Sequence, residues 1–127
     1  MALGITLALA FMAQAPVQEV AVVETTADVG LDELMAGRDR AALETIENCD
    51  ELAAADPARL INRGIALARL GRYDEARADF EAAASARETV DLETAAGDWV
   101  DSRRLARRAL AMLDKGEFAR YYALSLR

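Results

Sequence analysis

The stretch from Asp56 to Ala83 constrains the fold more than any other part of the chain, because it carries two consecutive helix signals separated by a glycine turn. Asp56 can accept from the free amides of a first helical turn, and Pro57 then sits where its missing N–H costs nothing. Along the helix that follows, Leu60, Gly64 and Leu67 form one stripe, with Ile61, Ile65 and Ala68 in a second beside it. Apolar surface on so much of the circumference calls for neighbours on two sides. Gly71 is placed to end this helix, Tyr73 to fill the turn, and Asp74 to cap a second helix whose inner face is Ala76, Phe80 and Ala83. The small residues Gly64 and Ala76 let the two helices approach closely. A unit of two helices cannot bury these faces alone, so stacked neighbours are expected.

Leu60, Gly64, Leu67, Ala76 and Phe80 fall where the tetratricopeptide repeat carries its spaced large and small apolar residues, and Ala76-x-x-x-Phe80 is the sharpest match. The stretch resembles one such repeat. Moving back by 34 positions places Gly30 under Gly64, Gly37-Arg38 under Gly71-Arg72, Ala42 under Ala76, Ile46 under Phe80 and Cys49 under Ala83. The first helix of that earlier unit is degenerate, with Thr26 and Glu33 in the places of Leu60 and Leu67, and should be short, carried by Leu31, Leu34 and Met35. A long helix is expected after it, from about Arg40 to Ala55. Beyond Ala83 the pattern recurs in Leu105, Ala109, Met112, Gly116 and Phe118, but at an offset of 45. About 11 extra residues therefore lie between Arg87 and Asp101. They are expected to lengthen the preceding helix or add a turn, with Trp99 fastening them to the core. Phe118, Tyr122 and Leu126 predict a final helix. The resemblance implies an all-α fold, a short helical-hairpin solenoid of about two and a half units with a closing C-terminal helix, over residues 28–127.

Composition agrees with a helical domain. The chain has 127 residues, 54% of them apolar, with only two prolines. A net charge of −7 argues against nucleic acid as a partner, since phosphate neutralisation needs clustered cations. Residues 1–56 hold 11 acidic and 2 basic residues, while residues 57–127 hold 11 and 13. The two halves are thus of opposite sign. The chain has one cysteine and no histidine, which removes intrachain disulfides, the commonest metal ligand and the commonest general base. No cofactor and no metal site are expected, and Cys49 reads as a small core residue. Residues 1–15 combine an uncharged apolar run with Ala13-Gln14-Ala15, the form of a cleavable secretory signal. The run is too short to span a bilayer, which takes about 20 apolar residues. Export, to a periplasm, is expected, so that no stable membrane span is left after processing; the alternative is a cytoplasmic chain whose first residues are helix. Residues 16–27 read as a poorly ordered linker.

Nothing in the sequence assembles an acid, a base and an oxyanion donor, and acidic pairs such as Asp50-Glu51 and Asp74-Glu75 read as solvated helix faces. The residues least explained by folding are Arg103, Arg104, Arg107 and Arg108, near the start of a predicted helix where cations oppose the helix dipole. They are expected to pair locally with Asp98, Asp101 and the acidic first unit, or to sit mid-helix if that helix starts near Leu92, or to read an anion. The resemblance implies a noncatalytic adaptor that holds a protein or peptide segment in a groove lined by the first helix of each unit. The candidate partner-binding residues are Asn62, Ile65, Arg69, Arg103 and Arg107, and the partner is expected to be acidic or to present a C-terminal carboxylate. Any such clamp is partial, because Ala27 and Leu31 stand at the places of its other two members. The alternative is a structural or assembly subunit that dimerises or docks on a larger complex.

Overall fold

A computed structural model of the chain describes residues 17–119. The expected secretory signal at residues 1–15 and most of the expected closing helix lie outside the described residues. The fold is mostly helical, with α1 at Leu31–Met35, α2 at Asp39–Glu47, α3 at Pro57–Arg69, α4 at Tyr73–Ala84 and α5 at Ser102–Asp114. It also contains a small antiparallel sheet, which corrects the all-α expectation. Strands β1 (Val22–Val23), β2 (Asp91–Thr94) and β3 (Trp99–Asp101) are arranged in the order β1-β2-β3.

The central hairpin forms as the sequence dictates. Asp56 accepts from the amides of Ala58 and Arg59, and Pro57 opens α3. Gly71 takes φ +81° after the helix, a backbone conformation that side chains with a Cβ resist. Helix α4 starts one residue before the expected cap: Arg72 occupies the N-cap without a side-chain bond, and Asp74 lies in the first turn. The two helices close on each other at Gly64, where an added Cβ would come 2.7 Å from Cδ1 and 2.9 Å from Cζ of the buried Phe80. Phe80 in turn packs against Phe118, with ring centroids 6.1 Å apart. This contact joins α4 to the chain that leaves α5. Arg77 on α4 also donates to Asp114 at the end of α5 at 2.7 Å.

The earlier helix pair differs from expectation in one element. Helix α1 is short, five residues, and buries Leu34. Helix α2, however, ends at Glu47 and not near Ala55. Asn48 and Asp50 are poor helix formers, and the chain past them is fastened from another element. The Arg59 guanidinium donates to the carbonyls of Cys49 at 2.8 Å and Leu52 at 3.0 Å. Cys49 is buried, as a small core residue would be.

Residues 17–27 are not a loose linker. Val17, Val20, Ala21 and Val22 are buried in the same apolar core as α3, α4 and α5. The extra residues after α4 neither lengthen that helix nor form a simple turn; they make the β2–β3 hairpin, turning through Gly97 at φ +92°. β1 pairs with β2 through Val22↔Thr94 and Val23↔Glu93. The two segments that depart from the repeat pattern therefore complete each other. Among the described residues, no helix is long and apolar enough to cross a membrane.

Candidate functional site

On α3, the residues expected to line an open groove face inward. Asn62 is 0% exposed. Its Oδ1 accepts from the Val22 amide at 2.7 Å, and its Nδ2 donates to the Val22 carbonyl at 2.9 Å and the Val29 carbonyl at 3.1 Å. An asparagine amide presents one acceptor side and one donor side, so this geometry reads the backbone of an extended strand and asks nothing of its side chains. The strand it reads belongs to the same chain. Ile65 is buried in the core cluster. Arg69 is buried too; its Nε lies 3.0 Å from Asp39 Oδ1, and its Nη1 donates to the Leu34 carbonyl at 3.1 Å. It joins α3 to both helices of the preceding pair. The expectation that Asn62, Ile65 and Arg69 offer a partner-binding surface is thus corrected: their polar atoms and apolar faces are committed to the chain itself.

The ion pair between α2 and α3 has an uneven electrostatic balance. Desolvation pushes the Asp39 carboxyl up from 3.8 to about 6, against the pull of Arg69. Asp79, 3.2 Å from Arg63, is likewise raised by burial.

The arginines of α5 divide by environment. The helix begins at Ser102, capped by Asp101, whose Oδ1 accepts from the amides of Arg103 at 3.0 Å and Arg104 at 3.1 Å. These bonds, that of Arg104 first, hold the Asp101 carboxyl below its ordinary value. The start near Leu92 does not occur. Arg103 is half-buried and its Nη2 reaches the Arg87 carbonyl at 3.4 Å, while Arg108 Nη1 donates to the Glu19 carbonyl at 3.2 Å. Arg104 and Arg107 are exposed, and among the described residues no carboxylate pairs with either. The expected pairing of this cluster with acidic side chains gives way to bonds with backbone carbonyls. Among the described residues, the unpaired arginines of this cluster are Arg107, expected as a groove residue, and Arg104, expected in the cluster but not on the groove face.

On the opposite electrostatic sign, a depression of about 380 Å³ beside β1 is lined by Val23, Ala27, Val29 and Leu31 with the carboxylates Glu24, Asp28 and Asp32. Trp99, expected to fasten the extra residues to the core, is 69% exposed. The sequence held a signal for this strand that the helical alignment hid. Val90 to Glu93 alternates apolar and polar residues, and Gly97-Asp98 follows shortly after, a hairpin pattern.

The described residues thus form a mostly helical fold with a small sheet laid against the central hairpin of α3 and α4. Residues 57–89 match the family model of the Tetratricopeptide repeat, and they span α3, α4 and the turn beyond. The resemblance read from Leu60, Gly64, Leu67, Ala76 and Phe80 is confirmed there. No curated protein and no solved structure gave a significant match to the chain.

Proposed function

We propose that the chain is a noncatalytic protein-interaction module that engages an acidic partner segment through the exposed arginines of α5. The tetratricopeptide repeat at residues 57–89 supports an interaction role, since such helical arrays present extended binding surfaces. In this reading α1–α2 and α5 with the chain after it are partial units flanking the central one. The observation that carries the choice of surface is the contrast between α3 and α5: Asn62 and Arg69 are spent inside the molecule, whereas Arg104 and Arg107 stand in solvent without a partner among the described residues. A guanidinium fork matches a carboxylate by two parallel charge-assisted bonds.

The test is a titration of the intact chain with a glutamate-rich peptide ending in a free carboxylate, followed by calorimetry. Replacing Arg104 and Arg107 together by Ala should weaken binding by about 1–2 kcal/mol, the scale of two exposed ion pairs, and affinity should fall with salt over a Debye length of about 8 Å at physiological ionic strength. Arg108→Ala is the control. Its guanidinium holds the Glu19 carbonyl, so its loss should lower stability more than affinity. Wild-type affinity in the Arg104→Ala/Arg107→Ala protein would overturn the assignment.

A further inference from the structure

We propose that the outer face of the β-sheet is a second docking surface, one that receives an extended basic segment of a partner protein alongside Trp99. Three observations lead there. The first is the side-chain alternation of the sheet. Leu92 and Thr94 are buried, so Asp91 and Glu93 lie on the other face. The pairing register then sets Val23, Glu93 and Trp99 in one row across that face, with Asp91 and Asp101 in the next.

The second observation is the sign of the surface. Residues 88–102 contain Glu88, Asp91, Glu93, Asp98 and Asp101 and no Lys or Arg. Of these, Asp101 is engaged in capping α5. Asp91, Glu93 and Asp98 have no ion-pair partner among the described residues, unlike the paired carboxylates of Glu75 and Asp114 elsewhere on the surface. The row also runs through Val23 into the depression that carries Glu24, Asp28 and Asp32. An exposed indole with the unneutralised Glu93 opposite it and Asp91 in the next row attracts a Lys or Arg side chain twice over, through the face of the ring and through the charges beside it.

The third observation is the open edge. Among the described residues, β3 has a strand neighbour on one side only. Thr94 N–H donates to the Asp98 carbonyl and Ser102 N–H to the Val90 carbonyl, each at 2.8 Å. Between these two hydrogen-bonded pairs the alternation of an antiparallel ladder turns Val100 toward β2 and leaves the Trp99 N–H and C=O pointing outward. A segment that adds as a fourth strand finds those groups there, and its outward-facing cations then come beside Trp99 and Glu93. This surface is opposite in charge to the exposed arginines of α5, the helix that follows directly on β3.

Trp99 is the only tryptophan of the chain, so its fluorescence reports on this surface directly. The intact chain is titrated with a synthetic peptide alternating Lys and Val, and separately with its Glu-Val counterpart. The expected result is a saturable change in Trp99 emission with the Lys-Val peptide alone, weakened by added salt. In the Asp91→Asn/Glu93→Gln protein the affinity should drop roughly five- to tenfold, as for two exposed charges, with thermal stability unchanged. Calorimetry of Trp99→Ala with the Lys-Val peptide gives a second reading and should show a comparable loss. Equal responses to both peptides, no saturable response, or undiminished affinity in either variant would overturn the proposal. An emission change on concentrating the chain without peptide would also overturn it, because a second copy would then be the occupant. Failure of the arginine assignment on α5 leaves all of these outcomes unaffected.

Discussion

At the scale of single residues, Gly64 shows how tertiary packing decides against local preference. Alanine is favoured over glycine inside a helix by about 1 kcal/mol. At this position, however, a Cβ would press into the ring of Phe80 from α4, and Phe80 is itself buried against Phe118. Overpacking of a filled core costs about 1–3 kcal/mol, so the clash outweighs the helical gain. Gly64→Ala should lower the midpoint of urea unfolding, and an unchanged or raised midpoint would show that the α3–α4 contact is looser than described. Asp39 gives a pH dependence of definite sign. Its folded-state pKa, about 6, lies above its ordinary value of 3.8, so the folded protein holds this proton more tightly than the unfolded chain does. The contribution of this group is fully present below about pH 4 and is lost as pH rises through 6. Comparing Asp39→Asn with the natural protein by urea unfolding across this window should therefore show stability falling more steeply with pH in the natural protein. A parallel pair of curves would contradict the assignment.

At the scale of elements, what was legible in the sequence was whatever a single segment encodes in its own spacing. The α3–α4 hairpin could be read from Asp56, Pro57, Gly71 and the apolar stripes, because cap, turn and buried face all lie within that stretch. The short α1 followed from Leu31, Leu34 and Met35 for the same reason. The end of α2 could not be read this way, since the carbonyls past it are met by Arg59 from the next helix. The sheet was hidden for a related reason. β1 is two residues long and gains a partner only through β2, about 70 residues later in the chain. Asn62, Ile65 and Arg69 were placed on the right helix by the repeat pattern, but the pattern assumes an open inner face. Whether Asn62 is open depends on residues 17–22, which precede the repeat register, and Arg69 is closed off by Leu34 and Asp39 of the preceding pair. Trp99 was misplaced because the insertion reads as a longer helix or an added turn when aligned on the repeat, although the alternation from Val90 to Glu93 points to a strand.

At the scale of the whole molecule, one repeat hairpin organises two segments that are foreign to it. The N-terminal strand and the inserted hairpin join in one sheet, and Asn62 fixes that sheet to α3 through the backbone of Val22, with a further bond to the Val29 carbonyl before α1. Burying polar groups in this way is favourable only while each keeps its bond, since an orphaned buried amide or carbonyl costs about 1–3 kcal/mol. The consequence for function is a change of surface. With the α3 face closed by the chain itself, the proposed contacts with other proteins fall to the rim, where α5 carries exposed arginines and the outer sheet carries Asp91 and Glu93. All of this rests on the closure being present in solution, and amide hydrogen exchange at Val22 measures it most directly. The Val22 N–H, bonded to Asn62 at 2.7 Å in the core, should exchange as slowly as the amides in the middle of α3, and Asn62→Ala should abolish that protection. Exchange at Val22 in the natural protein as fast as in an unstructured peptide, with α3 still protected, would contradict the account.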